Sequence, residues 1–175
     1  MSESAKAMVG IVMGSDSDWP KIKAVTAALK EFDVPFEVNV MSAHRTPEVV
    51  REYAAMAAAR GIKVILAAAG GAAHLAGVVA SHTILPVVGI PVPTNLQGGL
   101  DSLLSTVQMP GDIPVATVAV GMGGPRNAGL LAVEILALSD AKLSSKLSDF
   151  RQKLNGKIAA KNSALQAKLA EEAQG

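Results

Sequence analysis

The chain has no cysteine. That removes disulfide frameworks, thiolate metal sites and thiol nucleophiles from consideration. Aromatic residues are scarce, at 3% of 175 residues, which argues against a surface for stacking nucleic-acid bases or a flavin. Charge of one sign is lacking too. The 16 Lys and Arg nearly cancel 15 Asp and Glu, and a net charge of +1 gives no electrostatic footprint for nucleic acid. No uncharged apolar run acts as a membrane span, because Gly, Pro and polar residues interrupt every stretch. Met1 to Lys6 lack the apolar segment of a secretory signal. There is no His-Glu-x-x-His and no carboxylate cluster for a metal. The expectation is a cytoplasmic protein acting on a small molecule, with no metal, cofactor, nucleic acid or membrane.

What is present is apolarity. Hydrophobic residues make up 50% of the chain, and the mean hydropathy is +0.35. Short β-branched or small-residue runs at Met8–Met13, Phe36–Met41, Lys63–Ala69, Pro86–Pro91 and Val115–Val120 predict five strands. The third is nearly all apolar, as a strand covered on both faces must be. Helical spacing fills Asp18–Phe32, Pro47–Arg60, Ala72–Ser81, Leu100–Val107 and Pro125–Leu138. Pro47 suits a first helical position and Gly61 a helix end. Alternating strands and helices imply an α/β three-layer sandwich with a doubly wound parallel five-stranded sheet. By analogy with flavodoxin-like folds, its strand order is 2-1-3-4-5. One domain over 1–175 follows, with a core at about 8–138 and a helical extension at about 140–173. In that extension Leu143, Leu147, Phe150, Leu154 and Ile158 recur every three or four residues, and Leu165 and Leu169 continue the stripe. Gly156 is its weak point, and a neighbouring subunit is the expected cover.

Three loops follow apolar runs and collect the chemistry. Strand ends of one kind share one edge of a parallel sheet, so these loops converge on one crevice. Gly14-Ser15-Asp16-Ser17-Asp18-Trp19 offers hydroxyls beside a helix N-terminus, where an anion gains ~0.3–1 kcal/mol per charge. The Asp18 carboxylate suits paired sugar hydroxyls rather than phosphate. Helix capping by Ser15, Asp16 and Ser17 accounts for the same residues. The loop lacks the later glycines of a dinucleotide fingerprint and the Gly-Lys-Ser/Thr ending of a triphosphate loop.

Ser42-Ala43-His44-Arg45-Thr46-Pro47 carries at His44 an imidazole, the side chain whose unperturbed pKa, ~6.5, lies nearest neutrality, so it can both take and give a proton. The Arg45 fork matches phosphate or carboxylate oxygens. A helix cap at Ser42 or Thr46 with a surface ion pair at Arg45 is the plainer alternative. In Gly70-Gly71-Ala72-Ala73-His74-Leu75 the glycines let backbone amides approach a ligand. His74 near a helix start is either a ligand contact or a helix-end residue bonded to a carbonyl. His82 follows a helix, away from the strand ends, and is assigned to surface or interface. A Ser-His-Asp triad lacks its Gly-x-Ser-x-Gly elbow.

With all three loops in view, the sequence resembles the N5-carboxyaminoimidazole ribonucleotide mutases of purine biosynthesis, the class I branch of the PurE family. The loop strings carry the resemblance, joined by Gly99-Leu100-Asp101-Ser102-Leu103-Leu104-Ser105, Val107-Gln108-Met109-Pro110 and Asn127-Ala128-Gly129-Leu130-Leu131-Ala132. It runs from about Val9 to Leu138. Ala76, where the family commonly has proline, and Gly121–Arg126 depart from it. The resemblance implies transfer of a carboxyl group from the exocyclic amine of an aminoimidazole ribonucleotide to ring carbon C4. His44 is then the catalytic proton shuttle, with no cofactor. Ser15, Ser42 and Arg45 hold the phosphate end and Asp18 the ribose, with Ser17 also binding substrate. Gly70, Gly71, Ala72 and His74 enclose the ring and carboxylate. A homo-octamer is implied as well. The alternatives are a direct carboxylase of the same fold, a non-enzymatic nucleotide or flavin module, and a structural assembly protein. Arg45-Thr46 resembles the mutase branch more than the carboxylase branch.

Overall fold

A computed structural model describes residues 6–173, so most of the segment read for a secretory signal lies outside it. Five parallel strands form one sheet in the order β2-β1-β3-β4-β5. They are β1 (Val9–Met13), β2 (Phe36–Val40), β3 (Val64–Ala69), β4 (Val87–Pro91) and β5 (Ala116–Thr117). The helices are α1 (Trp19–Ile22), α2 (Ala24–Glu31), α3 (Pro47–Arg60), α4 (Leu75–Ser81), α5 (Leu100–Val107), α6 (Gly124–Ala137) and α7 (Ala141–Glu172). The expected order and doubly wound class are those observed. No described helix is long and apolar enough to cross a membrane.

Strands β1 and β4 are buried at every position, because helices cover both sheet faces. Side chains alternate between faces along a strand. Val12, Ile65, Ala67 and Val87 join one cluster with Val50, Ala54 and Ala57 of α3 and Leu75, Ala76 and Val79 of α4. Ile11, Leu66 and Val88, fully buried, alternate to the opposite face. Helices α2 and α6 meet at Gly129, where a Cβ would lie 2.7 Å from the Val25 carbonyl oxygen. At Gly89 of β4 a Cβ would run into the methyl group of Thr106, so α5 lies directly against the sheet. Helix α3 begins at Pro47 and ends at Gly61, whose φ of 103° is the left-handed cap that glycine takes without strain.

The structure departs from the spacing in three places. The expected helix over 18–32 is a 3-10 turn (Asp16–Asp18) followed by α1 and α2. Thr26 donates both its N–H and its hydroxyl to the Lys23 carbonyl, and this three-residue turn interrupts the four-residue ladder. Helix α4 starts at Leu75 rather than Ala72. Gly71 has φ of 70°, and N–H groups of Ala73 and His74 bond two residues back, which keeps the chain in tight turns. Strand β5 has two residues in place of six. It pairs only with β4, and one further bond, Val118 N–H to the Gly89 carbonyl, ends the ladder.

The chain divides into two compact units, 1–136 and 137–175. In the second, Asp140 caps α7 by accepting from the N–H groups of Lys142 and Leu143 at 2.9 and 3.1 Å. The helix then runs unbroken through Gly156. Ile158, Leu165 and Leu169 are exposed along it.

Leu66 has no exposed surface and sits in the central strand. Leu66→Ala is expected to cost about 2–5 kcal/mol in denaturant unfolding, from lost burial plus the cavity left behind.

Candidate active site

Register brings the strand ends level. Met13 lies opposite Val40 and Ala68, and Ala69 opposite Pro91. The loops that follow β1, β2, β3 and β4 therefore leave one edge and enclose a cleft of about 490 Å³. Its lining includes Ser15, Asp18, Ser42, His44, Arg45, Gly70, Gly71 and Ala72. Of the residues singled out from the sequence, Ser17 and His74 stand outside that lining, each one contact away. The Ser17 hydroxyl lies 2.8 Å from that of Ser15. His74 Nδ1 lies 2.8 Å from His44 Nε2, with the rings edge to face at 4.9 Å. His82 is exposed at the end of α4 and lines neither this cleft nor its neighbours.

The second loop is braced from within. Ser42 N–H donates to the Thr46 hydroxyl at 2.9 Å, and Thr46 donates that hydroxyl to the Ser42 carbonyl. The Ser42 hydroxyl in turn accepts from the N–H of Arg45. Thr46 and Ser42 thus brace the turn, but Thr46, the residue before α3, makes no side-chain cap bond, so the capping alternative does not hold at this loop. Among the described residues Arg45 makes no ion pair either. Its guanidinium reaches across to donate to the Gly14 carbonyl at 2.7 Å, which joins the second loop to the first. His74, likewise, bonds an imidazole rather than a carbonyl. One ring of that pair donates and the other accepts, so a single proton lies between them. Two imidazolium rings would set N–H against N–H and break the contact.

Asp18 faces the cleft half-buried. Loss of water pushes its carboxyl above the usual carboxylate range, and the Lys21 ammonium is the foremost influence opposing that rise. Ser15 caps the following turn by accepting from Ser17 N–H, so the capping reading is also correct here.

The glycine loop is held from behind by α5. The buried Ser102 hydroxyl accepts from Gly71 N–H at 3.0 Å and donates to the Val92 carbonyl at 2.7 Å. Ser105 donates to the Gly71 carbonyl. Asp101 accepts from the Thr94 hydroxyl at 2.6 Å and from Ser102 N–H at 2.8 Å. The Thr94 bond is the main reason its carboxyl falls below the ordinary range.

Lys21, Thr94 and this α5 set were not among the residues singled out for the site. Lys21 had a signal, since it follows Asp18 by three positions, the spacing of neighbours on a helix face. The α5 set had one too, as Asp101, Ser102 and Ser105 belong to a helix in which polar and apolar residues are evenly mixed. Thr94 had none, because its partner lies on another element.

The family model described as AIR carboxylase matches residues 8–157. The N5-carboxyaminoimidazole ribonucleotide mutase of Mycobacterium tuberculosis (strain CDC 1551 / Oshkosh) is 56% identical over 158 residues, 90% of this chain and 90% of that protein. The mutase of the same name from Aquifex aeolicus (strain VF5) is 58% identical over 142 residues, 81% of this chain and 84% of that one. A crystal structure of Treponema denticola PurE shares the fold with a TM-score of 0.79 at 29% identity, covering 90% of this chain and 97% of the other. The family match runs beyond Leu138, where the likeness carried by the loop strings stops, and takes in the first half of α7. With most of its length so matched, the chain belongs to the AIR carboxylase family.

Proposed function

We propose that this chain is an N5-carboxyaminoimidazole ribonucleotide mutase of purine biosynthesis, an isomerase that moves a carboxyl group within one nucleotide. The observation that carries the reading is the meeting of His44, Arg45, Asp18 and Ser15 on one cleft at the strand ends. The names of relatives at more than half identity support the choice of reaction.

The bond between the exocyclic nitrogen and the carboxyl carbon breaks first. His44 delivers a proton to that nitrogen, and CO2 is released beside the aminoimidazole. Ring carbon C4, enamine-like because the adjacent amine feeds it electrons, attacks the same CO2 and forms the new carbon–carbon bond. C4 then carries one hydrogen too many, and His44 removes it. The proton count closes with no cofactor. A single group serves both transfers best with a pKa near the working pH, the property of an imidazole. His74 orients the ring through the bond between them, and with Gly70, Gly71 and Ala72 it encloses heterocycle and carboxylate. Ser15, Ser17, Ser42 and Arg45 hold the phosphate, and Asp18 the ribose hydroxyls. Small residues over the ring keep water out while CO2 is free.

The apolar groups left exposed on α5 and α7, among them Leu104, Val107, Ile158 and Leu165, support a homo-octamer in which they meet neighbouring copies. A cytoplasmic location fits an enzyme that works on a phosphorylated intermediate.

A direct carboxylation of aminoimidazole ribonucleotide by CO2 is the competing reaction on the same site. Supplied with N5-carboxyaminoimidazole ribonucleotide, the purified protein is expected to form the C4-carboxylated isomer without drawing on free bicarbonate. Turnover of only the uncarboxylated nucleotide with bicarbonate would eliminate the mutase. His44→Asn is expected to lower kcat by at least ~10²-fold while nucleotide binding stays within a few-fold of the parent, measured by single-turnover assay and calorimetry. Parent-like rates from that variant would remove the shuttle. Ending the chain at Asp140 is expected to disturb the octamer in sedimentation experiments, and an unchanged octamer would show the tail to be dispensable for assembly.

A further inference from the structure

Four cross-links join the loops around the cleft into a closed circuit. Arg45 ties the second loop to the first through the Gly14 carbonyl at 2.7 Å. His44 and His74 tie the second to the third at 2.8 Å. The Ser102 hydroxyl ties the third to the exit of β4, between Gly71 N–H and the Val92 carbonyl. The circuit closes where Lys21 Nζ, reaching 72 positions along the chain, donates to the Pro93 carbonyl at 3.1 Å. Lys21 and Pro93 both line the cleft, beside Asp18.

We propose that Lys21 is a positioning residue for the ligand: anchored on the Pro93 carbonyl, its ammonium closes the cleft wall and supplies the countercharge under which Asp18 receives the sugar hydroxyls. This rests on the functional reading above, in which Asp18 meets the ribose. An ammonium has three N–H donors and the Pro93 bond uses one, so the remaining two are available to the cleft. Lys21 follows Asp18 by three positions, and both line the same cleft. Burial works against the charge of the Asp18 carboxylate, Asp16 adds repulsion, and Lys21 is the leading opposing influence, helped by a backbone hydrogen bond at Ser15. From the second loop, Arg45 and His44 also face the cleft. Arg45, bonded to Gly14 and Ser42, is assigned to the phosphate end rather than to Asp18.

A ligand that fills the cleft strips more water from Asp18, so the countercharge matters most in the bound state. The ionised carboxylate is acceptor-only, whereas protonation turns one of its oxygens into a donor and removes the charge that strengthens its bonds to hydroxyls. By favouring the ionised form, the ammonium extends binding of the ribose to lower pH.

The test is calorimetric binding of aminoimidazole ribonucleotide to the full-length parent, Lys21→Met, Lys21→Arg, Asp18→Asn and the double variant Asp18→Asn/Lys21→Met, from about pH 5 to 8. Lys21 is exposed, so these changes spare the core. K21M is expected to bind about tenfold more weakly at neutral pH. Its acid-side loss of affinity is expected to start about one pH unit higher than the parent's. K21R should follow the parent. In the D18N background, K21M should produce no shift of the acid limb. His44 and the ligand are the same in every protein, so the difference between curves isolates Asp18. A K21M curve parallel to the parent's would reduce Lys21 to a strut that loosens the cleft equally at every pH, and would overturn the proposal alone. A parent that does not bind the nucleotide would overturn the functional reading, and this one with it.

Discussion

Side chains in a parallel strand alternate faces with a period of two, so a slip of one residue moves each of them to the opposite face. In this chain both faces of β1, β3 and β4 are buried, so a slip would exchange the two sets and misfit the packed side chains of the central strands. That penalty fixes Met13 opposite Val40 and Ala68. Level strand ends follow, and with them the common edge from which the polar loops leave. The placement of His44, Arg45 and Asp18 is thus set by Ile11, Leu66 and Val88, which never touch the cleft. Apolar burial supplies the energy, and the polar groups inherit the geometry.

What the core positions coarsely, hydrogen bonds between loops position finely. Three side chains on α5 clamp the peptide of Gly71 from two sides and hold the β4 exit through Val92 and Thr94. The left-handed backbone of Gly71 makes that clamp possible, since a side chain there would be strained and would approach Asp101. The imidazole pair works differently. It is exposed, and its bond needs one ring to donate and the other to accept. The glycine loop is thus held by buried backing, and the imidazoles by a single shared proton.

Legibility in the sequence followed the range of the interactions. Hydrophobic period, Pro47 and Gly61 mark elements through local physics, and α3 and α5 lie where the spacing puts them. The three loops were legible because each joins a strand to the next helix. Ends of elements were less so: β5 shrinks because it has one partner strand, and the helix after β1 breaks because Thr26 competes for the Lys23 carbonyl. Least legible were contacts between distant segments. Nothing near Lys21 announces Pro93, and nothing near Ser105 announces Gly71. Arg45 lines the cleft as its loop led one to expect, yet its bond to Gly14 belongs to the folded chain alone.

Gly89 has no side chain and takes no part in any chemistry, yet it admits α5 to the sheet. Thr106, which occupies the space above it, hands its hydroxyl to the carbonyl of Ser102 at 2.7 Å. Any bulk gained at position 89 would thus lift the helix that grips the glycine loop and reach the cleft from the far side of the layer. Tolerance to substitution in this chain is therefore no map of distance from the ligand. A random screen for inactive clones would recover a residue whose only contribution is the volume it leaves empty.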